Sequence, residues 1–174
     1  MRWMTEPDVS ARPSHPRTET ILHRCQELFE RAGVPFRPHV HEPVLDYDTA
    51  ATIRERFHFT GIETKSLFLR GKSGRHVMFV TREGERLDRA RAQRALEERV
   101  SIASGEELQA ETGCVPGCAV PLGLPAGIPL LIDGELDAAP ALIFSPGPPT
   151  QTIQVSGEEW GRLVAAAENP KILY

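Results

Sequence analysis

The sequence predicts an α/β fold: a compact single domain built on a curved, barrel-like mixed β-sheet flanked by helices. Three observations carry this. A chain of 174 residues with 40% hydrophobic content can bury one sizeable core and is short for two. Strand-like and helix-like segments are intermixed without regular βαβ alternation, which favours a mixed sheet. The middle of the chain holds two strand-like runs, 65–70 and 76–81, joined by the short connection Gly71-Lys72-Ser73-Gly74.

Taken in order, residues 1–17 carry Pro7, Pro13 and Pro16 among polar neighbours and read as a flexible leader, with 18–174 as the folded domain. Thr18 or Thr20 is placed to cap a first helix. Its apolar stripe runs Ile21/Leu22, Cys25, Leu28/Phe29 and Ala32, and Gly33 and Pro35 stop it. Phe36–His41 is a short strand, and Pro38 confines it to an edge. Asp46 or Asp48 caps a second helix with Ala50, Ile53 and Phe57 on one face. After the hairpin, Asp88 opens a third helix to about Arg99. The segment 100–103 leads to a small helix over 105–112. Strands follow near 128–132, 142–144 and 152–155, with a turn at Asp133-Gly134. Ser156 caps a last helix holding Trp160, Leu163, Val164 and Ala167.

Composition narrows the function classes. No apolar run approaches the ~18–20 residues of a membrane span. The N-terminus lacks the basic, apolar and small-residue succession of a secretory signal. Three cysteines do not make a disulfide framework, so the expected compartment is the cytoplasm. A net charge of -4 argues against a dedicated nucleic-acid coater. Positive charge is nonetheless concentrated at Arg70, Lys72, Arg75, Arg82, Arg86, Arg89, Arg91 and Arg94. This is either a solvated surface or a patch making a few phosphate contacts, with Arg70, Lys72 and Arg75 the candidate contacts. The sequence has no phosphate-binding G-x-x-x-x-G-K-[ST], no G-x-G-x-x-G after a strand, no H-E-x-x-H and no G-x-S-x-G. Nucleotide hydrolysis, dinucleotide redox chemistry, zincin proteolysis and serine-esterase chemistry thus lose their usual signatures.

Two segments can carry chemistry. Lys65, in Thr64-Lys65-Ser66-Leu67-Phe68-Leu69, shares a strand face with Leu67 and Leu69. It is either a strand-end lysine reaching solvent or a pocket lysine that binds an oxygen or acts as a base. The glycine/proline loop from Gly113 to Gly123 contains Gly117-Cys118-Ala119-Val120-Pro121, a G-x-x-x-P pattern. It is either a structural connection or a set of backbone N–H groups that bind an oxyanion. His39 and His41, two apart on a strand, could hold a metal with a third ligand. Cys114 and Cys118 lack the second Cys/His pair of a zinc finger, and a cysteine nucleophile would need a base such as His41. Cys25 reads as core.

Five pieces in a fixed order carry a resemblance. They are His41-x-Pro43, Thr64-Lys65-Ser66-Leu67-Phe68-Leu69, Gly74-Arg75, Gly113-Cys114-Val115-Pro116-Gly117 running into Pro121-Leu122-Gly123, and Phe144-Ser145-Pro146. From about Thr18 to the last helix, the chain resembles the editing (insertion) domain of bacterial prolyl-tRNA synthetase, the YbaK-type aminoacyl-tRNA deacylases. The resemblance implies hydrolysis of the ester of mischarged tRNA in trans, most directly tRNA for proline carrying Ala, Ser, Thr, Cys or a similar small amino acid. A second site is needed because size alone discriminates such amino acids weakly. It implies catalytic roles for Lys65 and Gly117, and substrate contacts from His41, Cys118, Ala119, Val120, Pro121, Ser145 and Thr150. It implies no metal, no other cofactor and no covalent enzyme intermediate. The implied partner is mischarged tRNA, with a tRNA synthetase or elongation factor as a further one, and no membrane. The stretch Ser145–Thr150 departs from the asparagine-bearing segment of many relatives, and Cys118 stands where a small residue is usual. Two other readings stay open: a tRNA- or synthetase-binding module without turnover, and a metal-dependent hydrolase using His39, His41 and a cysteine.

Overall fold

The computed structural model describes residues 16–174. Among the described residues there are five helices and eight strands, and all but the last strand follow the expected order. The helices are α1 (Pro16–Ala32), α2 (Tyr47–Arg56), α3 (Arg89–Leu96), α4 (Gly105–Thr112) and α5 (Gly157–Ala166). The strands are β1 (His39–Val40), β2 (Ile62–Gly71), β3 (His76–Arg82), β4 (Val100–Ile102), β5 (Leu130–Ile132), β6 (Ala141–Phe144), β7 (Gln151–Ser156) and β8 (Lys171–Leu173). A 3-10 turn covers Gly134–Ala138. The eight strands form one mixed sheet in the order β1-β7-β6-β2-β3-β5-β8, with β4 also paired to β2.

Local chemistry sets most of the boundaries. Asp46 caps α2 by accepting from Thr49 N, and Asp88 caps α3 by accepting from Arg91 N. Ser104 and Ser156 open α4 and α5 in capping boxes closed by Glu107 and Glu159. The structure corrects the sequence expectations in four places. Helix α1 begins at Pro16, a residue suited to a first helical position, so Thr18 and Thr20 lie inside it. The expected leader therefore overlaps the helix, and its residues 1–15 lie outside the described residues. Strand β1 is only two residues long, pairing with β7 at the sheet's end as an edge strand should. Helix α3 ends at Leu96 rather than Arg99 because Glu97 turns left-handed at φ 58°. The short strand β8, parallel to β5, was not anticipated.

The sheet separates two apolar layers. On one face, α1 and α5 bring Ile21, Cys25, Phe29, Trp160 and Leu163 against Phe68, Met78, Val80, Leu142, Phe144 and Ile153. On the other, Leu69, Val77, Phe79 and Leu131 pack under Ala92 and Leu96 of α3 and under Tyr174. The alternation along β2 is regular, so Lys65 follows Leu67 and Leu69 to the α3 side, while Ser66 and Phe68 face the larger core.

What positions the site is a split along one edge of β2. Its odd-numbered residues bond to β3: the Glu63 carbonyl accepts from Glu83 N and Gly71 N donates to the Arg75 carbonyl. The even-numbered residues therefore direct their backbone groups to the opposite edge. There β6 pairs only with Ile62 and Glu63, and β4 only with Leu69–Gly71. Between them, among the described residues, no strand pairs with 64–68 on this side; only Ala103 N reaches in, donating to the Phe68 carbonyl. The two neighbouring strands diverge, and a cavity opens between them.

Candidate active site

The cavity holds about 460 Å³. Its floor is the exposed stretch of β2 from Glu63 to Phe68, and its walls come from β4 and the start of α4, the Pro116–Ala119 turn, the end of β6, and β7. Val44–Tyr47 and Ala50 complete the mouth.

The Pro116–Ala119 wall has a defined origin. Cys118 N donates to the Val115 carbonyl at 2.8 Å, closing a turn whose central residues are Pro116 and Gly117. Gly117 has φ +87°, so this is the Pro-Gly pair of a type II turn, in which an L side chain at the second position is strained. Leu45 lies over the turn: a Cβ on Gly117 would come 3.8 Å from Leu45 Cδ2. Pro116 in turn abuts the start of α4, where a Cβ on Gly105 would meet its ring at 3.1 Å.

Lys65 and Gly117, expected from the sequence to act together, both line this cavity. Lys65 Nζ donates to the Glu85 carbonyl at 2.9 Å, using one of its three donors. Cys118, Ala119, Pro121 and Ser145 also line the cavity. Ser145 Oγ donates to the Pro148 carbonyl at 2.9 Å and accepts from Gly147 N, which fixes the loop after β6. Three expected contacts sit elsewhere. Val120 is fully buried in the main core. The Thr150 carbonyl accepts from His41 N. His41 is buried beside the cavity wall, its Nδ1 donating to the Glu42 carbonyl at 2.6 Å and its Nε2 2.8 Å from Thr152 Oγ1.

Burial pushes the Cys118 thiol up to about 11, and its Sγ faces the Gly147 carbonyl at 3.8 Å rather than a base. Cys114 is raised for the same reason. Neither is poised as a nucleophile. His39 packs edge-on against Phe57 and Phe59, each 4.9 Å away. Among the described residues no three His, Cys, Asp or Glu side chains are grouped as a metal ion would require. Within the basic stretch, Arg70 meets Glu107 and Arg75 meets Glu98, each at 3.1 Å, and Arg82 meets Glu85 at 2.9 Å, while Lys72 is exposed.

The structure adds lining residues that the sequence reading did not single out. Ser66 Oγ and Gln151 Oε1 are both shut away from solvent without a hydrogen-bond partner. Strand alternation sets Ser66 on the face opposite Lys65, and nothing local marks Gln151. Glu63 is half-buried, and its carboxyl is raised first by desolvation and then by the charge of Glu83. Among the described residues no helix is long and apolar enough to cross a membrane.

Comparison with known proteins identifies the family. Residues 41–163 match the aminoacyl-tRNA editing domain family, and the chain belongs to it. No curated protein matches the sequence. Solved structures of similar fold include the hypothetical protein APE2540, 18% identical over 86% of this chain and 98% of that one, with a TM-score of 0.71. Another is a protein named as a candidate trans-editing enzyme for prolyl-tRNA synthetase, 22% identical over 90% of this chain and 95% of that one, with a TM-score of 0.68. A third is an epitope-grafting scaffold, 21% identical over 87% and 94%, with a TM-score of 0.67. At these identities the likeness speaks for the fold alone.

Proposed function

We propose, with membership of the aminoacyl-tRNA editing domain family as the premise, that this chain is a deacylase of mischarged tRNA. Its substrate in this reading is tRNA for proline carrying a small non-cognate amino acid. The observation that carries the reading is the meeting of Lys65 and the Gly117 turn at one cavity, although 52 positions separate them in sequence. Water adds to the ester carbonyl, the carbonyl–ribose oxygen bond breaks, and the products are the free amino acid and a tRNA with its terminal hydroxyl restored. The negative charge that develops on the carbonyl oxygen needs donors held in place beforehand. Backbone N–H groups around Gly117 are suited to this because the Pro-Gly turn fixes their direction. Two unspent protons on Lys65 Nζ can bind the aminoacyl-adenosine end while Glu85 holds the third. The vicinal ribose hydroxyl orients the water, and no metal or covalent enzyme intermediate enters.

The test is deacylation of tRNA for proline charged separately with alanine, serine, threonine, cysteine and proline, by the wild type and by Lys65→Ala. The expected result is rapid loss of one non-proline ester, abolished in the variant. No turnover of any ester by folded protein would replace this reading with that of a binding module.

A further inference from the structure

The cavity is chemically asymmetric. Behind its lining lie two polar atoms without partners, Ser66 Oγ and Gln151 Oε1, both closed to solvent. Its mouth is the reverse. Among the described residues five large apolar side chains are exposed, and three of them line this one cavity: Leu45 (49%), Tyr47 (61%) and Ile102 (53%). Exposed apolar groups gathered around one opening mark a binding surface, where the same groups scattered singly would not.

We propose that Tyr47, flanked by Leu45 and Ile102, is a stacking platform for the terminal nucleobase of the tRNA acceptor end. The proposal rests on the deacylase reading above. The ester to be cleaved and the terminal base belong to the same nucleotide, so a base must lie within one nucleotide's reach of the carbonyl. With the aminoacyl group held at Lys65 and the Gly117 turn, as that reading has it, a base within that reach lies along the same cavity lining, which includes Tyr47. Protein recognition of single-stranded RNA ends relies on stacking unpaired bases against aromatic rings. Three aromatic side chains line the cavity, but Phe68 and Phe144 are committed to the core, which leaves Tyr47 as the ring open to a ligand. The platform is held firmly. Tyr47 is the first residue of α2, directly after the cap Asp46, whose carboxylate accepts from Thr49 N. Leu45 rests on the Gly117 turn. The Asp46 charge also disfavours a phosphate at this point, so an uncharged base fits the mouth better than the sugar-phosphate chain does.

The test uses two non-hydrolysable ligands: alanyl-3′-amino-3′-deoxyadenosine, in which an amide replaces the ester, and the same compound with the base removed. The expected result is tighter binding of the adenine ligand by the wild type, with about tenfold of that advantage lost in Tyr47→Ala and retained in Tyr47→Phe. Because Tyr47 is exposed, the Tyr47→Ala melting temperature should match the wild type. Equal affinity for the two ligands, or no effect of Tyr47→Ala, overturns the platform; continued hydrolysis of an aminoacyl-tRNA would then leave the deacylase reading standing. Binding of neither ligand, together with no hydrolysis of any aminoacyl-tRNA, overturns both.

Discussion

The molecule contains two kinds of interior polar group, and the contrast between them separates architecture from chemistry. On the α3 side of the sheet, buried Asp133 accepts from Thr81 Oγ1 at 2.8 Å and from Glu135 N at 3.1 Å. At the far end of the core, Asn169 donates to the carbonyls of Pro125 and Ile128. These groups are satisfied from within the chain, as buried polar atoms usually are. In the cavity, Ser66 Oγ and Gln151 Oε1 are not, and Lys65 spends one donor of three. A missing partner alone does not define a site: Trp160 Nε1 is also unpaired, deep in the main core. Missing partners beside an open cavity do point to a ligand.

The largest expected effect breaks the comparison at Lys65. Its ammonium contributes one bond to the Glu85 carbonyl, so Lys65→Ala should leave the melting temperature within a few degrees of the wild type. Deacylation should fall about a hundredfold or more, the scale of losing one well-placed donor to developing charge. A large loss of stability with activity per folded molecule preserved would place Lys65 with the architectural groups.

Asp133→Ala tests the other side. It leaves the buried Thr81 hydroxyl unpaired and removes the cap of the 3-10 turn. The expected cost is about 2–3 kcal/mol, read as a melting temperature lower by roughly 5–10 °C, with kinetic constants of the folded fraction unchanged. Unaltered stability would mean that satisfied polar groups here are dispensable, and the contrast would collapse.

How much of this was legible in the sequence follows the same division. Caps are local, and Asp88 and Ser156 gave their helices away. The β2–β3 hairpin, with its two apolar runs and a glycine-rich connection, was equally plain. Strand β8 was hidden because three residues supply no periodicity, and its pairing to β5 is made across about forty positions. The early end of α3 depends on Glu97 at positive φ, a conformation that glutamate does not advertise. At the site, Lys65 and Gly117 were legible as residue types suited to ester chemistry. Tyr47 and Gln151 were not, because their membership depends on which strands diverge from β2. Val120, named as a substrate contact on the strength of the resemblance, has its side chain in the core, because the chain after the turn dips inward.

A smaller effect comes from the thiols, which the architecture keeps protonated. Burial raises Cys25 to about 12 and Cys118 to about 11, against an ordinary value of 9.0, and raises Cys114 as well. A group raised in the folded state adds stability that is intact below its unfolded pKa. Above about 9 the unfolded chain binds fewer protons than the native one, so stability falls as pH rises and continues to fall until the folded values are reached. Each such thiol contributes at most about 1.4 kcal/mol per pH unit in that window. Cys25→Ala should therefore flatten the decline in melting temperature between pH 9 and 11 relative to the wild type. Parallel curves would show that Cys25 plays no part in it.

The smallest expected change in stability is the most discriminating for the contrast. Gln151 opens β7 and pairs through its backbone with Val40, while its Oε1 is buried without a donor. Replacing both ends of a hydrogen bond by apolar atoms is nearly neutral, and replacing an acceptor that has no partner removes a penalty and loses no bond. Gln151→Leu keeps the strand and approximates the side-chain volume, so its melting temperature should equal or slightly exceed the wild-type value. Its KM for the cleaved aminoacyl-tRNA should rise, because the ligand then meets an apolar wall where it had an acceptor. An architectural Gln151 would give the opposite pattern, a lower melting temperature with unchanged KM, since a group that holds the fold together is missed when the fold is tested and one reserved for a ligand is missed only when the ligand arrives.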